Sequence, residues 1–126
     1  MAGGQGTGRG RLTTHVLDTA AGRPAAGLVL TLFALEGDDG RQPLARAATN
    51  ADGRLDAPLL GPGTMRTGRF ELVFEVAAYF RARGVDLPEP PFLEAVPIRF
   101  GIADPDAHYH VPLLVSPYGY TTYRGS

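Results

Sequence analysis

The apolar positions of this chain recur with a period of two over short runs, the spacing that sends alternate side chains to opposite faces of a strand. From Arg11 to Asp18, Leu12, Thr14 and Val16 share one face, while Thr13, His15 and Leu17 share the other. Leu28 to Leu35 is apolar at nearly every position, which predicts a strand covered on both faces. Leu44 to Asn50 and the brief Arg54 to Ala57 read as further strands. Phe70, Leu72, Phe74 and Val76 alternate against Glu71, Val73 and Glu75, and Val96, Ile98, Phe100 and Ile102 alternate against Pro97, Arg99 and Gly101. Near the end, Tyr109, Val111, Leu113 and Val115 make one face, with His108, His110, Pro112, Leu114 and Ser116 on the other. Ser116-Pro117-Tyr118-Gly119 has turn chemistry, so the chain should close on a hairpin whose second arm places Tyr120, Thr122, Arg124 and Ser126 on one side and Thr121, Tyr123 and Gly125 on the other.

Clusters of Gly, Pro, Asn and Asp punctuate these runs, at Asp18 to Pro24, Gly37 to Gly40, Asn50 to Gly53, Gly61 to Gly63 and Asp104 to Ala107. Only Ala77 to Arg83 prefers helix. Arg81 and Arg83 sit in its last turn, where the helix dipole favours cations, and Gly84 follows where a left-handed residue is needed. About eight short strands separated by turn signals predict an all-β, antiparallel two-sheet sandwich with one short helix. The glycine-rich stretch 1–10 precedes the first strand and reads as a flexible tail, leaving 11–126 as a single domain.

Composition narrows the possibilities. The chain has 126 residues and a net charge of -1, enough length to bury about two thirds of its unfolded surface and no charge excess that would call for a nucleic acid or an anionic membrane. The absence of cysteine excludes disulfides and thiol nucleophiles. No apolar run reaches the length of a membrane span, and no secretion signal is evident, so the cytoplasm is the expected compartment.

The 3 histidines are the natural candidates for chemistry. His15 and His110 lie on outward strand faces and could converge if their strands share a sheet; His108, nearer a turn, is expected to be solvated. A zinc site built on His108 and His110 would need His15 as third ligand, and no carboxylate stands ready to complete the set, which argues against metal. Arg54 directly follows the Asn50-Ala51-Asp52-Gly53 turn. No nucleophile elbow, phosphate loop or dinucleotide fingerprint is present.

Leu12-Thr-Thr-His-Val-Leu-Asp18, Thr49-Asn-Ala-Asp-Gly-Arg54, Tyr109-His-Val-Pro-Leu-Leu-Val-Ser-Pro117 and the terminal Tyr123-Arg-Gly-Ser126 together resemble the 5-hydroxyisourate hydrolases. These are transthyretin-related proteins of purine catabolism, and the resemblance runs from about Arg11 to the end. It implies an eight-stranded transthyretin-like sandwich assembled as a homotetramer, a dimer of dimers with active sites between dimers. Carried over position by position, it implies a site made of His15, Arg54, His110 and Ser126, with His15, Arg54 and Tyr123 contacting substrate. The implied reaction hydrolyses 5-hydroxyisourate to 2-oxo-4-hydroxy-4-carboxy-5-ureidoimidazoline, with no cofactor and no metal. The alternative is a non-catalytic transthyretin-like carrier of a small ligand, for which the same fold would hold an apolar channel.

Overall fold

The computed structural model describes Gly6 and residues 8–126. Its elements are β1 (Arg11–Asp18), β2 (Arg23–Pro24), β3 (Val29–Glu36), β4 (Gly40–Ala48), β5 (Gly68–Phe74), α1 (Val76–Ala82), β6 (Val96–Ile102), β7 (His108–Ser116) and β8 (Gly119–Thr122). They form two 4-stranded sheets, ordered β2-β1-β7-β8 and β4-β3-β5-β6. The period-two pattern explains the packing between them. Leu12 and Val16 of β1, Leu30 and Leu32 of β3, Phe70, Leu72 and Phe74 of β5, Ile102 of β6 and Leu113 of β7 all point inward and are buried, a single core between stacked sheets. The fold is the all-β two-sheet sandwich with one short helix expected from the sequence.

One pairing departs from the antiparallel rule. β1 and β7 run parallel, with Arg11 opposite His108 and Thr13 opposite His110. Strands far apart in sequence can pair this way because the rest of the domain serves as the crossover. This register brings the outward positions of both strands onto one surface.

The helix forms where the alternation stops. Val76, Ala77, Tyr79 and Phe80 are its buried positions, spaced as one helical face, and Gly84 beyond it has φ +83°. It is anchored by the Tyr79 hydroxyl, which donates to Asp18 at 2.8 Å. Burial and that carboxylate push the phenol up to about 12.

Other expectations need revision. β3 buries one face only: Leu30, Leu32 and Ala34 are buried, whereas Val29, Thr31, Phe33 and Leu35 are half-exposed, because among the described residues no further strand or helix layer lies over them. The third long strand begins earlier than expected, at Gly40, since the chain folds straight back on β3 with a register shift at Leu32/Phe33. Arg54 to Ala57 is not a strand; Arg54 alone bridges to His15. The closing hairpin's second arm stops at Thr122, after which Gly125 bridges back to His110. Of the tail expected over 1–10, residues 1–5 and 7 lie outside the described residues. Gly8 and Gly10 hydrogen-bond to Met65 and Pro105, so the folded body extends upstream of Arg11.

Candidate active site

Three short segments meet on the outer face of the β2-β1-β7-β8 sheet. β1 contributes Arg11, Thr13 and His15, and β7 contributes His108 and His110, all alternating with core residues and therefore facing outward. The loop after β4 supplies Arg54. Asn50 shapes that loop, because its side-chain oxygen accepts from the backbone N–H of Asp52 at 2.9 Å and of Arg54 at 3.1 Å, a local turn typical of asparagine. Gly53 is required twice over. Its φ is +75°, and a Cβ there would stand 2.4 Å from the Val16 carbonyl oxygen. The close approach lets the Gly53 carbonyl accept from Val16 N–H and sets Arg54 opposite His15.

On the other side the terminal segment returns along β7. The Gly125 N–H donates to the His110 carbonyl at 2.7 Å. A Cβ on Gly125 would come within 2.6 Å of the His110 ring, so only glycine lets the chain lie against the imidazole and deliver Ser126. The result is a cavity of about 370 Å³ lined by Arg11, Thr13, Arg54, His108, His110 and Ser126 among others, a size that suits a small polar molecule.

The electrostatics of this face are one-sided. Burial and then the Arg54 charge lower the pKa of His15, with Asp52 opposing. Burial, Arg54, His108 and His15 lower that of His110. Burial, Arg11 and Arg124 do the same for His108. Each imidazole is thereby biased toward the neutral form, the one that can accept a proton. Among the described residues no group of three or more His, Asp or Glu side chains is arranged to hold a metal ion.

The structure thus brings Arg54, His110 and Ser126 to one cavity. His15 does not line it; it pairs with Arg54 at the rim and acts on His110 through charge. Tyr123 is elsewhere. Its exposed ring borders a separate hollow of about 250 Å³ with Tyr109 and Arg124. His108, expected in solvent, is a wall of the main cavity, because parallel pairing sets it beside Arg11 and Thr13. Sequence reasoning passed over Thr13 and Arg11. Thr13 Oγ1 lies 2.7 Å from His108 Nε2 and 2.8 Å from His110 Nδ1. The available signal was its place on the His15 face; its register against His110 was not legible.

Residues 12–125 match the HIUase/Transthyretin family. The chain belongs to that family. It is 63% identical over 117 residues, 93% of this chain and 97% of the relative, to a protein named 5-hydroxyisourate hydrolase 2 from Rhizobium meliloti (strain 1021). Among solved structures it superposes on the 5-hydroxyisourate hydrolase of Klebsiella pneumoniae with a TM-score of 0.77 and 35% identity, covering 93% of this chain and 99% of that one. It also superposes on sea bream transthyretin in complex with thyroxine, with a TM-score of 0.80 and 29% identity over 91% of this chain and 94% of that one. The backbone therefore fits hydrolase and hormone binder equally well, and the side chains must separate them.

Proposed function

We propose that this protein is a 5-hydroxyisourate hydrolase, cleaving a ring amide C–N bond of its substrate to give 2-oxo-4-hydroxy-4-carboxy-5-ureidoimidazoline. The observation that carries the reading is the convergence of a guanidinium and neutral-biased imidazoles on one polar cavity, in a chain 63% identical to a protein of that name. Water attack on a carbonyl needs a proton acceptor near neutrality, which imidazole supplies. It also needs a fixed positive group for the developing oxyanion, and Arg54 suits that role because it cannot lose its proton. His110 handles the proton at the cavity while His15, paired with Arg54, acts on it through charge, and Ser126 adds a hydrogen-bonding group at the wall.

In this reading the active form is a homotetramer, a dimer of dimers working in the cytoplasm. Tyr123, exposed and outside the cavity of its own chain, reaches substrate only through assembly. Support for burial by a partner comes from the half-exposed Val29, Phe33 and Leu35 on β3 and the exposed Tyr118, Tyr120 and Tyr123. Among the described residues no helix is long and apolar enough to cross a membrane.

The test generates fresh 5-hydroxyisourate with urate oxidase and follows its ultraviolet decay. Decay well above the spontaneous rate is expected; decay at the spontaneous rate would end the proposal. The carrier alternative predicts tight binding of a thyroid-hormone-like ligand without turnover, whereas a cavity walled by Arg11, Arg54 and imidazoles is more polar than apolar.

A further inference from the structure

We infer that Thr13 and His108 are positioning residues that set the tautomer of His110 and pass its proton to and from His108, so that His110 Nε2 can serve both halves of the hydrolysis. This inference rests on the hydrolase reading for its substrate, but its geometry stands by itself.

Thr13 Oγ1 lies within hydrogen-bond reach of two imidazole nitrogens at once, His108 Nε2 at 2.7 Å and His110 Nδ1 at 2.8 Å. A hydroxyl has a single hydrogen, so it donates to one of these nitrogens and accepts from the other. The two rings are consequently locked in sequence. When His108 Nε2 is unprotonated, Thr13 donates to it and accepts N–H from His110 Nδ1. His110 Nε2, which has no hydrogen-bond partner among the described residues, then carries the lone pair of a base. When His108 Nε2 bears a proton, it donates to Thr13, Thr13 donates to His110 Nδ1, and His110 must hold its hydrogen at Nε2.

Those two states are the ones a hydrolase needs in turn. As water forms its bond to the substrate carbonyl carbon, its proton moves to His110 Nε2. The Nδ1 hydrogen moves to Thr13 Oγ1, and the hydroxyl hydrogen moves to His108 Nε2, leaving an imidazolium at His108 and neutral His110 with hydrogen at Nε2. As the C–N bond breaks, that hydrogen goes to the leaving nitrogen and the relay runs backward. No proton is gained or lost over the cycle. Arg11 on β1 and Arg124 in the terminal segment face His108, and Arg54 and His15 face His110. Burial and the charges of Arg11 and Arg124 disfavour the His108 imidazolium, which favours return of the proton.

Thr13→Val keeps the shape and removes the hydroxyl. It should lower kcat about 10²-fold with little change in KM, the size expected for losing general acid–base function, while Thr13→Ser should restore most of the rate. Nitrogen-15 NMR of the full-length histidine-labelled protein at pH 8 supplies a readout independent of turnover. His110 should be hydrogen-bearing at Nδ1 in wild type and should shift toward the Nε2 form in Thr13→Val, with thermal melts confirming that the variant is folded. Wild-type kcat in folded Thr13→Val, or a His110 tautomer unchanged by the substitution, would overturn the relay. If wild type fails to accelerate 5-hydroxyisourate decay but the tautomer shifts as described, the hydrolase reading fails and the positioning role survives.

Discussion

The two outward sheet faces of this sandwich handle charge in opposite ways. On the β4-β3-β5-β6 sheet, Glu71 is buried, yet Arg41 and Arg99 each reach one of its carboxylate oxygens at 2.9 Å. Burial pushes its pKa up, but the hydrogen bonds and charges of Arg99 and Arg41 prevail and hold it below 4.5. Arg41 also lies over the Phe33 ring at 4.0 Å. The buried carboxylate there is held between two guanidinium groups. On the β2-β1-β7-β8 sheet, the cavity is walled by arginines and imidazoles, and the one carboxylate that acts on an imidazole, Asp52 on His15, is outweighed. A face that neutralises its buried charge holds the fold together, whereas a face whose described arginines make no ion pair keeps imidazoles neutral and invites an electron-rich ligand.

If that contrast is right, breaking each face should damage a different property. Arg54→Ala should lower kcat/KM about 10²- to 10³-fold, the usual loss for a well-placed electrostatic group, with a melting temperature near wild type; steady-state rates and a thermal melt check both halves. Gly125→Ala comes next. Its methyl would push the His110 ring aside, and an ångström of misplacement can cost about 10²-fold, so a loss of about ten- to a hundredfold in kcat is expected, with the fold intact. Glu71→Gln should do the reverse. Losing a charge-assisted pair of hydrogen bonds should destabilise by about 1–2 kcal/mol, reduced because both arginines are largely exposed, and leave turnover untouched. Denaturant unfolding and the decay assay together decide it; a large loss of activity in Glu71→Gln would erase the distinction between the faces.

The alternation of β1, β5, β6 and β7 was readable in the sequence because one of their faces is a continuous core. Their ends and the helix were readable from Gly and Pro signals. The site was partly so. Arg54 and His110 stand out once their motifs are recognised, and Gly53 and Gly125 belong to those same motifs. What period-two reasoning could not supply is the partner of each strand. His108 was misjudged as solvated because its neighbours, Arg11 and Thr13, are far away in sequence, Thr13 by 95 residues, and meet it only through the parallel β1–β7 register. The same gap hid Thr13. β3 shows the converse error, since an apolar outward face says that something covers it without saying whether the cover is the same chain.

Acid titration offers the finest division between the faces, because each should lose stability in its own window. The three imidazoles have folded pKa values below 6.5. The unfolded chain therefore binds protons that the folded chain refuses once the pH falls below 6.5, and stability drops there. Above 6.5 both states are neutral at these sites and nothing is lost. Glu71 is also depressed, from 4.5, so its contribution persists above 4.5 and disappears only as the pH falls further. Unfolding free energy measured against pH should accordingly decline in a shallow step beginning at pH 6.5 and a separate one beginning at pH 4.5. His108→Gln should flatten the first step and spare the second, by a fraction of a proton in slope. Glu71→Gln should flatten the second and spare the first. A single acid transition that responds equally to both substitutions would mean that the two faces are electrostatically coupled through the core and that the contrast between them is one of position alone.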